Sequence, residues 1–464
     1  MKTRSFSRRF FGPTLTLLAL VAGCSDSSTT PDAATDVTQP PVDASIPTDT
    51  STPTDAGAAQ PRLVPVSAMG HDRFFGVTFD PAGNFYATGV VADSTETTAD
   101  FRTVVAKFNA SGALDTTFGT NGFATHNLAT GTNGEVTRGI VVQPSGKIVV
   151  VATVEHAGAS DMRDRDIALA RFNANGMIDT TFGMGGVVTL DLSAGEVSGS
   201  SYVADSAWGL SAYPDGRLVV TGAQKRMGAT DTDFAVIRLT VDGMRDMTFG
   251  TNGVAAVDIN NRSASPRTAT ILADGSVVAA GYMDDGGVVK PVLFKLNPMG
   301  QLDTTFATNG IFSPTVLMAA TEAYGAALQG TSFVTAGYGR NAATESLDWL
   351  SLRVSAGGML DTTYGTSGVA RLDLAMFNDN ARSLVVLPDN RVMLVGGGRP
   401  TEMNVDGMIA VLTMNGQPDT SFGARGIRTY DFGGASDFFW GAALSPDRTR
   451  VALVGTKGVG TGMG

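Results

Sequence analysis

The chain has 464 residues, 43% of them hydrophobic, a single cysteine and a formal net charge of −11. One cysteine excludes an intrachain disulfide, so the fold must be held by its core, which a chain of this length can bury. The negative charge disfavours nucleic acid and anionic lipid head groups as partners.

Residues 1–23 read as an export signal. Lys2, Arg4, Arg8 and Arg9 form a basic start, and Thr14–Ala22 is an apolar run of nine residues. Such a run is too short to span a bilayer and suits a signal core. It leads into Val21-Ala22-Gly23-Cys24, which resembles the lipobox of bacterial lipoproteins. The resemblance implies cleavage before Cys24, lipidation of its thiol and stable anchoring at the cell envelope by more than one acyl chain. A lipidated Cys24 also excludes nucleophilic cysteine chemistry and thiolate metal sites. Ser7-Arg8-Arg9-Phe10-Phe11 is similar to a twin-arginine signal, although Gly12 and Pro13 depart from its usual continuation. Both export routes therefore stay open. Cleavage removes four bases and no acids, taking the net charge from −11 to −15. Residues 24–60 then read as a tether. They carry six aspartates, no Lys, no Arg and no aromatic residue, so they cannot bury enough apolar surface to offset ordering. Proline and charge extend them.

From residue 61 onward an internal repeat replaces the multi-domain reading that length alone suggests. Its mark is Asp-Thr-Thr-Phe-Gly or a close variant, with aspartates at 115, 179, 246, 303, 361 and 419, between 57 and 67 residues apart. Each repeat reads as four short strands, A to D. In the second, Gly139–Val142 is A, Pro144-Ser145-Gly146 the turn, Lys147–Thr153 B, Ile167–Phe172 C and Val187–Leu192 D. Continuous Val, Ile and Ala runs suit strands covered on both faces, and no segment has a helical period. The A–B hairpin occurs seven times and the C–D half six times. Arg62–Val66 looks like a lone strand D, and Val459–Gly464 is too glycine-rich for a good strand C. This arithmetic predicts an all-β fold over residues 61–464. It is a seven-bladed β-propeller of four-stranded antiparallel blades, closed by the N-terminal strand at the edge of the last blade.

The runs GIVVQPSGKIVVVAT, DIALARFNANGMIDTTFG and GVVTLDL resemble the delta-60 repeat, a β-propeller repeat of deltaproteobacterial proteins. The resemblance covers residues 70–455. It implies the propeller and no particular activity. The strand order is also similar to that of NHL-type propellers, with strand A innermost.

Candidate chemistry is sparse. Asp-Thr-Thr-Phe-Gly recurs in every repeat and so reads as architecture: an Asx-turn, an aromatic wedge and a left-handed glycine. Lys107, Arg171, Arg238, Lys295 and Arg353 precede its aspartate by eight residues, with Val411 in the sixth copy. They read as ion-pair partners with packed stems. His71, His126 and His156 occupy three different repeat positions, which argues against a zinc site. No P-loop, dinucleotide fingerprint or Ser-His-Asp spacing stands out. Asp72, Glu135, Asp205, Glu322, Asp379 and Asp437 recur near the start of strand A, while Ser265 replaces the acid in one repeat. With A innermost they would ring the channel mouth, where Ca²⁺ is the cofactor they would take. The bland reading is hydrogen bonding to nearby backbone.

These features favour a non-enzymatic, monomeric, envelope-anchored lipoprotein that presents its propeller to a protein or glycan partner. The alternative is a metal-assisted hydrolase or lactonase-like propeller with a cation at the channel mouth. A surface spacer without a small ligand is a third reading.

Overall fold

A computed structural model describes residues 16–24 (backbone only), 62–67, 72–92, 100–129, 135–155, 165–193, 205–225, 229, 231–375, 377–402, 404–433 and 436–458. Among them every regular element is a β-strand.

The strands fall into repeated units. The A strands are Asp72–Phe79, Val136–Val142, Ser206–Ala212, Ala264–Ile271, Ala320–Gln329, Asn380–Val386 and Asp437–Leu444. Each pairs antiparallel with its own B strand: Phe85–Ala92, Ile148–Glu155, Leu218–Gln224, Val277–Asp284, Ser332–Arg340, Val392–Thr401 and Arg450–Gly458. The C strands that follow are Phe101–Phe108, Arg165–Phe172, Asp233–Leu239, Val289–Leu296, Asp348–Val354 and Asn404–Leu412. The D strands are short, for example Val187–Leu190 against Ile167–Ala170. The B and C strands are buried almost throughout, as expected of strands covered on both faces. A parallel bridge, Val289↔Ala320, joins the fourth and fifth units into one eight-stranded sheet.

The last sheet departs from the others. Its order is Arg62–Leu63, Thr16–Cys24, Arg450–Gly458, Asp437–Leu444. The third position, for which the sequence offers no good strand C, is taken by the apolar segment read as the signal core. That segment runs parallel to Arg450–Gly458, from Thr16↔Arg450 to Cys24↔Gly458. Arg62–Leu63 pairs in turn with Leu20 and Val21. The N-terminal strand is thus at the outer edge, but shorter than Arg62–Val66. Beyond it, Val64 is buried among Phe74, Phe85, Ala452 and Val454, which come from the first and last units.

Every A strand carries a β-bulge at one position, for example between Phe74 and Gly76, Ala207 and Gly209, and Phe439 and Gly441. A bulge adds one residue, bends the strand and re-aims a side chain. Opposite it on strand B stands Gly89, Gly222, Gly281, Gly337, Gly396 or Gly455, with Ala152 in the second unit. A Cβ at Gly281 would run into the carbonyl oxygen of Ser265, so the bulge needs that close approach.

Candidate functional site

The Asp-Thr-Thr-Phe-Gly turns join neighbouring units. Asp179 Oδ1 accepts from the Thr181 hydroxyl at 2.7 Å, and Asp246 and Asp361 do the same with Thr248 and Thr363. The other carboxylate oxygen takes the base eight residues back: Lys107–Asp115 at 3.0 Å, Arg171–Asp179 at 2.6 Å, Arg238–Asp246 at 2.8 Å, Lys295–Asp303 at 3.1 Å and Arg353–Asp361 at 2.7 Å. In the sixth copy, where Val411 stands, Arg391, just before strand B, reaches Asp419 at 2.6 Å instead. Phe118, Phe182, Phe249, Phe306 and Tyr364 are buried. Phe118 packs with Ile140 and Ile148 of the next unit. The residue after each aromatic donates its N–H to a turn carbonyl of that next unit, as in Gly119 to Asn175 and Gly365 to Asn415. In the fourth copy this residue is Ala307, held at φ 50°, where a Cβ costs roughly 1 kcal/mol.

The carboxylates expected at the channel mouth do something else. Asp72, Glu135, Asp205, Asp379 and Asp437 are at most 1% exposed. Each accepts hydrogen bonds from the loop that enters its own A strand. Asp72 takes Val66 and Ser67 N–H at 2.7 and 2.8 Å, Glu135 takes Leu128 N–H at 2.9 Å, and Asp379 takes Leu374 and Ala375 N–H at 2.8 and 2.9 Å. Asp205 holds Leu192 and Ser193, and Asp437 takes Phe432 N–H at 2.7 Å. They are not an open acidic ring, because folding the D–A loop back over strand A seals them in. The strand register also corrects two assignments. Thr321, not Glu322, and Ala264, not Ser265, are the equivalents of these acids relative to the bulge. The Thr321 hydroxyl accepts Leu317 N–H at 3.1 Å in the carboxylate's stead. Glu322 lies one residue later, hydrogen-bonded by Tyr338 and within electrostatic reach of Arg267.

Burial pushes the Glu135 carboxyl up to about 7 and that of Asp379 up to about 8, against the N–H groups that favour the anion. Stability from these groups is present below the ordinary carboxylate range near 4 and is lost as pH rises through about 7 to 8. The turn aspartates have the opposite sign. Around Asp179 burial works against ionisation, but Lys147, Thr181 and Arg171 hold the carboxyl well below its usual range. Stability from that group is present above about 4 and lost at lower pH. The melting temperature is therefore expected to peak near pH 5 and to fall toward about pH 8.5. Glu135→Gln and Asp379→Asn should flatten the alkaline limb. Equal melting temperatures at the two pH values would contradict this assignment.

The bulges build the site that sequence reading missed. Their extra residues are Phe75, Arg138, Trp208, Arg267, Tyr324, Arg382 and Trp440. Each touches its neighbours from the adjoining A strands. The Arg138 guanidinium lies 5.6 Å from the Phe75 ring centre and 4.0 Å from that of Trp208. Arg267 lies 3.7 Å from Trp208 and 4.2 Å from Tyr324. Arg382 lies 4.1 Å from Tyr324 and 5.3 Å from Trp440. Trp440 meets Phe75 edge to face at 5.3 Å, which returns the chain of contacts to its start. Each of the three arginines stands between two aromatic residues, so each cation rests on ring faces. Arg267 is 4% exposed. It donates to the Tyr282 and Tyr324 hydroxyls at 2.9 and 3.0 Å and forms no ion pair among the described residues. A cavity of about 450 Å³ opens beside this ring, lined among others by Arg138, Arg165, Ser206, Trp208, Tyr282 and Asp284.

Of the other candidates, His126 is half-buried in the first D strand, and burial lowers its pKa. His71, His156 and the Cys24 side chain lie outside the described residues.

The repeated four-stranded units and their bulged inner strands define a β-propeller repeat protein. Residues 143–182, 214–249 and 272–306 match the family profile described as a domain of unknown function (DUF5122) beta-propeller. Each match runs from an A–B turn to the Asp-Thr-Thr-Phe turn. No curated protein matches the chain. Among solved structures it is similar to Chaetomium thermophilum Sqt1 bound to the N-terminus of ribosomal protein L10. The identity is 14%, over 82% of this chain and 80% of that chain, with a TM-score of 0.38. It is also similar to a PL25 ulvan lyase, a polysaccharide lyase, at 10% identity over 73% of this chain and 79% of that one, with a TM-score of 0.42. A Penicillium chrysogenum alpha-L-arabinanase complexed with arabinobiose matches at 9% identity over 54% and 81%, with a TM-score of 0.32. These likenesses carry no argument about function.

Proposed function

We propose that this chain is an envelope-anchored lipoprotein whose propeller is a binding module for an acidic ligand, carried by a glycan or a protein. Residues 1–23 direct export, Cys24 takes the lipid, and residues 24–60 hold the domain off the membrane. The units form a seven-bladed propeller closed near the N-terminus. The return of the bulge contacts from Trp440 to Phe75 supports this reading, as does the packing of Val64 between first and last units. Processing before Cys24 would take all but the last residue of Thr16–Cys24 out of the last sheet. Val64 and the Asp72 carboxylate would then carry the closure.

The observation that carries the binding reading is the cavity beside Arg138, Trp208 and Arg165. It joins cations, aromatic surface and hydroxyl groups within an otherwise acidic protein. Arginine offers paired donors to carboxylate or sulfate. The test is binding of uronate- or sulfate-bearing oligosaccharides and acidic peptides to the full chain. Arg138→Ala should weaken the ligand about tenfold or more, the value of one charge-assisted hydrogen bond. Absence of binding by any acidic ligand, or unchanged affinity in Arg138→Ala, would refute it.

A further inference from the structure

Three aspartates from three strand ends converge where one unit's strand C begins, its strand D ends and the next strand A starts. In one place they are Asp406, Asp431 and Asp437, and in another Asp166, Asp191 and Asp205. In each group one carboxylate oxygen from every residue lies within 4.8 Å of the others. The inner member is fully buried and the D-end member is exposed, so each group is closed inside and open to solvent at one side.

Among the described residues no Lys or Arg forms an ion pair with the first group. Asp431 accepts Gly433 N–H and Asp406 accepts the Asn404 amide, both at 2.7 Å. Asp437 is 0% exposed, and its Oδ1 accepts no hydrogen bond. Lys457 faces Asp437 in the strand pairing but forms no ion pair with any of the three among the described residues. Burial, then the charges of Asp431 and Asp437, push the Asp406 carboxyl up to about 6. A buried, unpaired carboxylate oxygen facing two more carboxylates is costly unless a cation meets it.

The repeat supplies an internal control. The equivalent residues of another unit are Asp348, Asp373 and Asp379. There Arg371, two residues before Asp373, places its guanidinium on Asp348. At the position of Arg371, the first group has Thr429. One unit carries its own cation at this junction, whereas this one has a small hydroxyl there.

We infer that Asp406, Asp431 and Asp437 bind one hard divalent cation of the Ca²⁺ class. Three carboxylates with a backbone or water oxygen suit the flexible oxygen coordination of Ca²⁺ better than the strict octahedron of Mg²⁺. Such an ion would tie the D–A loop to strand C, a structural role separate from the arginine-lined cavity.

The test is calcium titration of the chelator-treated full chain by calorimetry, with thermal melting in parallel. The variant is Asp431→Asn. This aspartate is exposed, and asparagine keeps the acceptor for the Gly433 N–H, so the variant should fold. The substitution is expected to remove one calcium equivalent. Calcium should raise the wild-type melting temperature by about 2 °C or more and leave the variant's nearly unchanged. No heat and no shift at millimolar calcium would overturn the inference. So would the same stoichiometry in wild type and Asp431→Asn.

Discussion

Deletion of residues 62–67 is expected to cost about 4 kcal/mol and to make the protein prone to aggregate. Val64 is 6% exposed within a cluster that joins the first and last units. Its loss removes roughly 2 kcal/mol of apolar burial. The same deletion removes two N–H donors to the Asp72 carboxylate, those of Val66 and Ser67. Taking two donors from a buried carboxylate costs about 1–3 kcal/mol more. That total is a large share of the about 5–15 kcal/mol that holds a domain together. The outer edge of the last sheet would also be exposed, offering unpaired backbone to other chains. Thermal melting and light scattering of the deletion variant check this. Unchanged melting and solubility would show that the fold does not depend on this segment.

Cys24→Ala is expected to move the protein wholly from the membrane to the soluble fraction after an alkaline wash, while the propeller stays folded. Residue 24 pairs with Gly458 through its backbone at the end of its strand, and alanine keeps that pairing. The residues that follow, 25–60, are mostly Ser, Thr, Pro, Asp and Ala with few apolar groups. Exchange of one small side chain that keeps the backbone pairing is expected to change stability by less than about 0.5 kcal/mol. The apolar run at Thr14–Ala22 is too short to hold the variant across a bilayer. Continued sedimentation with membranes would contradict the lipid anchor, and an altered melting temperature would show that residue 24 takes part in the fold.

The sequence by itself determined the all-β class, the four-strand repeat and the role of Asp-Thr-Thr-Phe-Gly. These depend on local chemistry repeated along the chain: a Pro or Gly turn, an Asx-turn, a buried aromatic, continuous apolar strands. Even the pairing of Arg171 with Asp179 is local, since eight residues and one turn bring them together. The bulge ring needed the tertiary structure. Phe75, Arg138, Trp208, Arg267, Tyr324, Arg382 and Trp440 share no residue type, so no motif marks them. Their common feature is a position three residues after the buried acid or its Thr321 and Ala264 equivalents, opposite a strand-B glycine in all units but one. That offset was present in the sequence, but its meaning was not. A bulge shifts the strand's alternation by one residue, and a regular two-residue period cannot forecast which side chains then turn inward. For the same reason the acids first read as a channel-mouth ring proved to be sealed under the D–A loops. The aspartate triads were hidden more deeply. Asp406 and Asp431 lie 25 residues apart, and Asp431 comes next to Asp437 across a loop. Only the folding of strands C, D and A onto one junction makes neighbours of them.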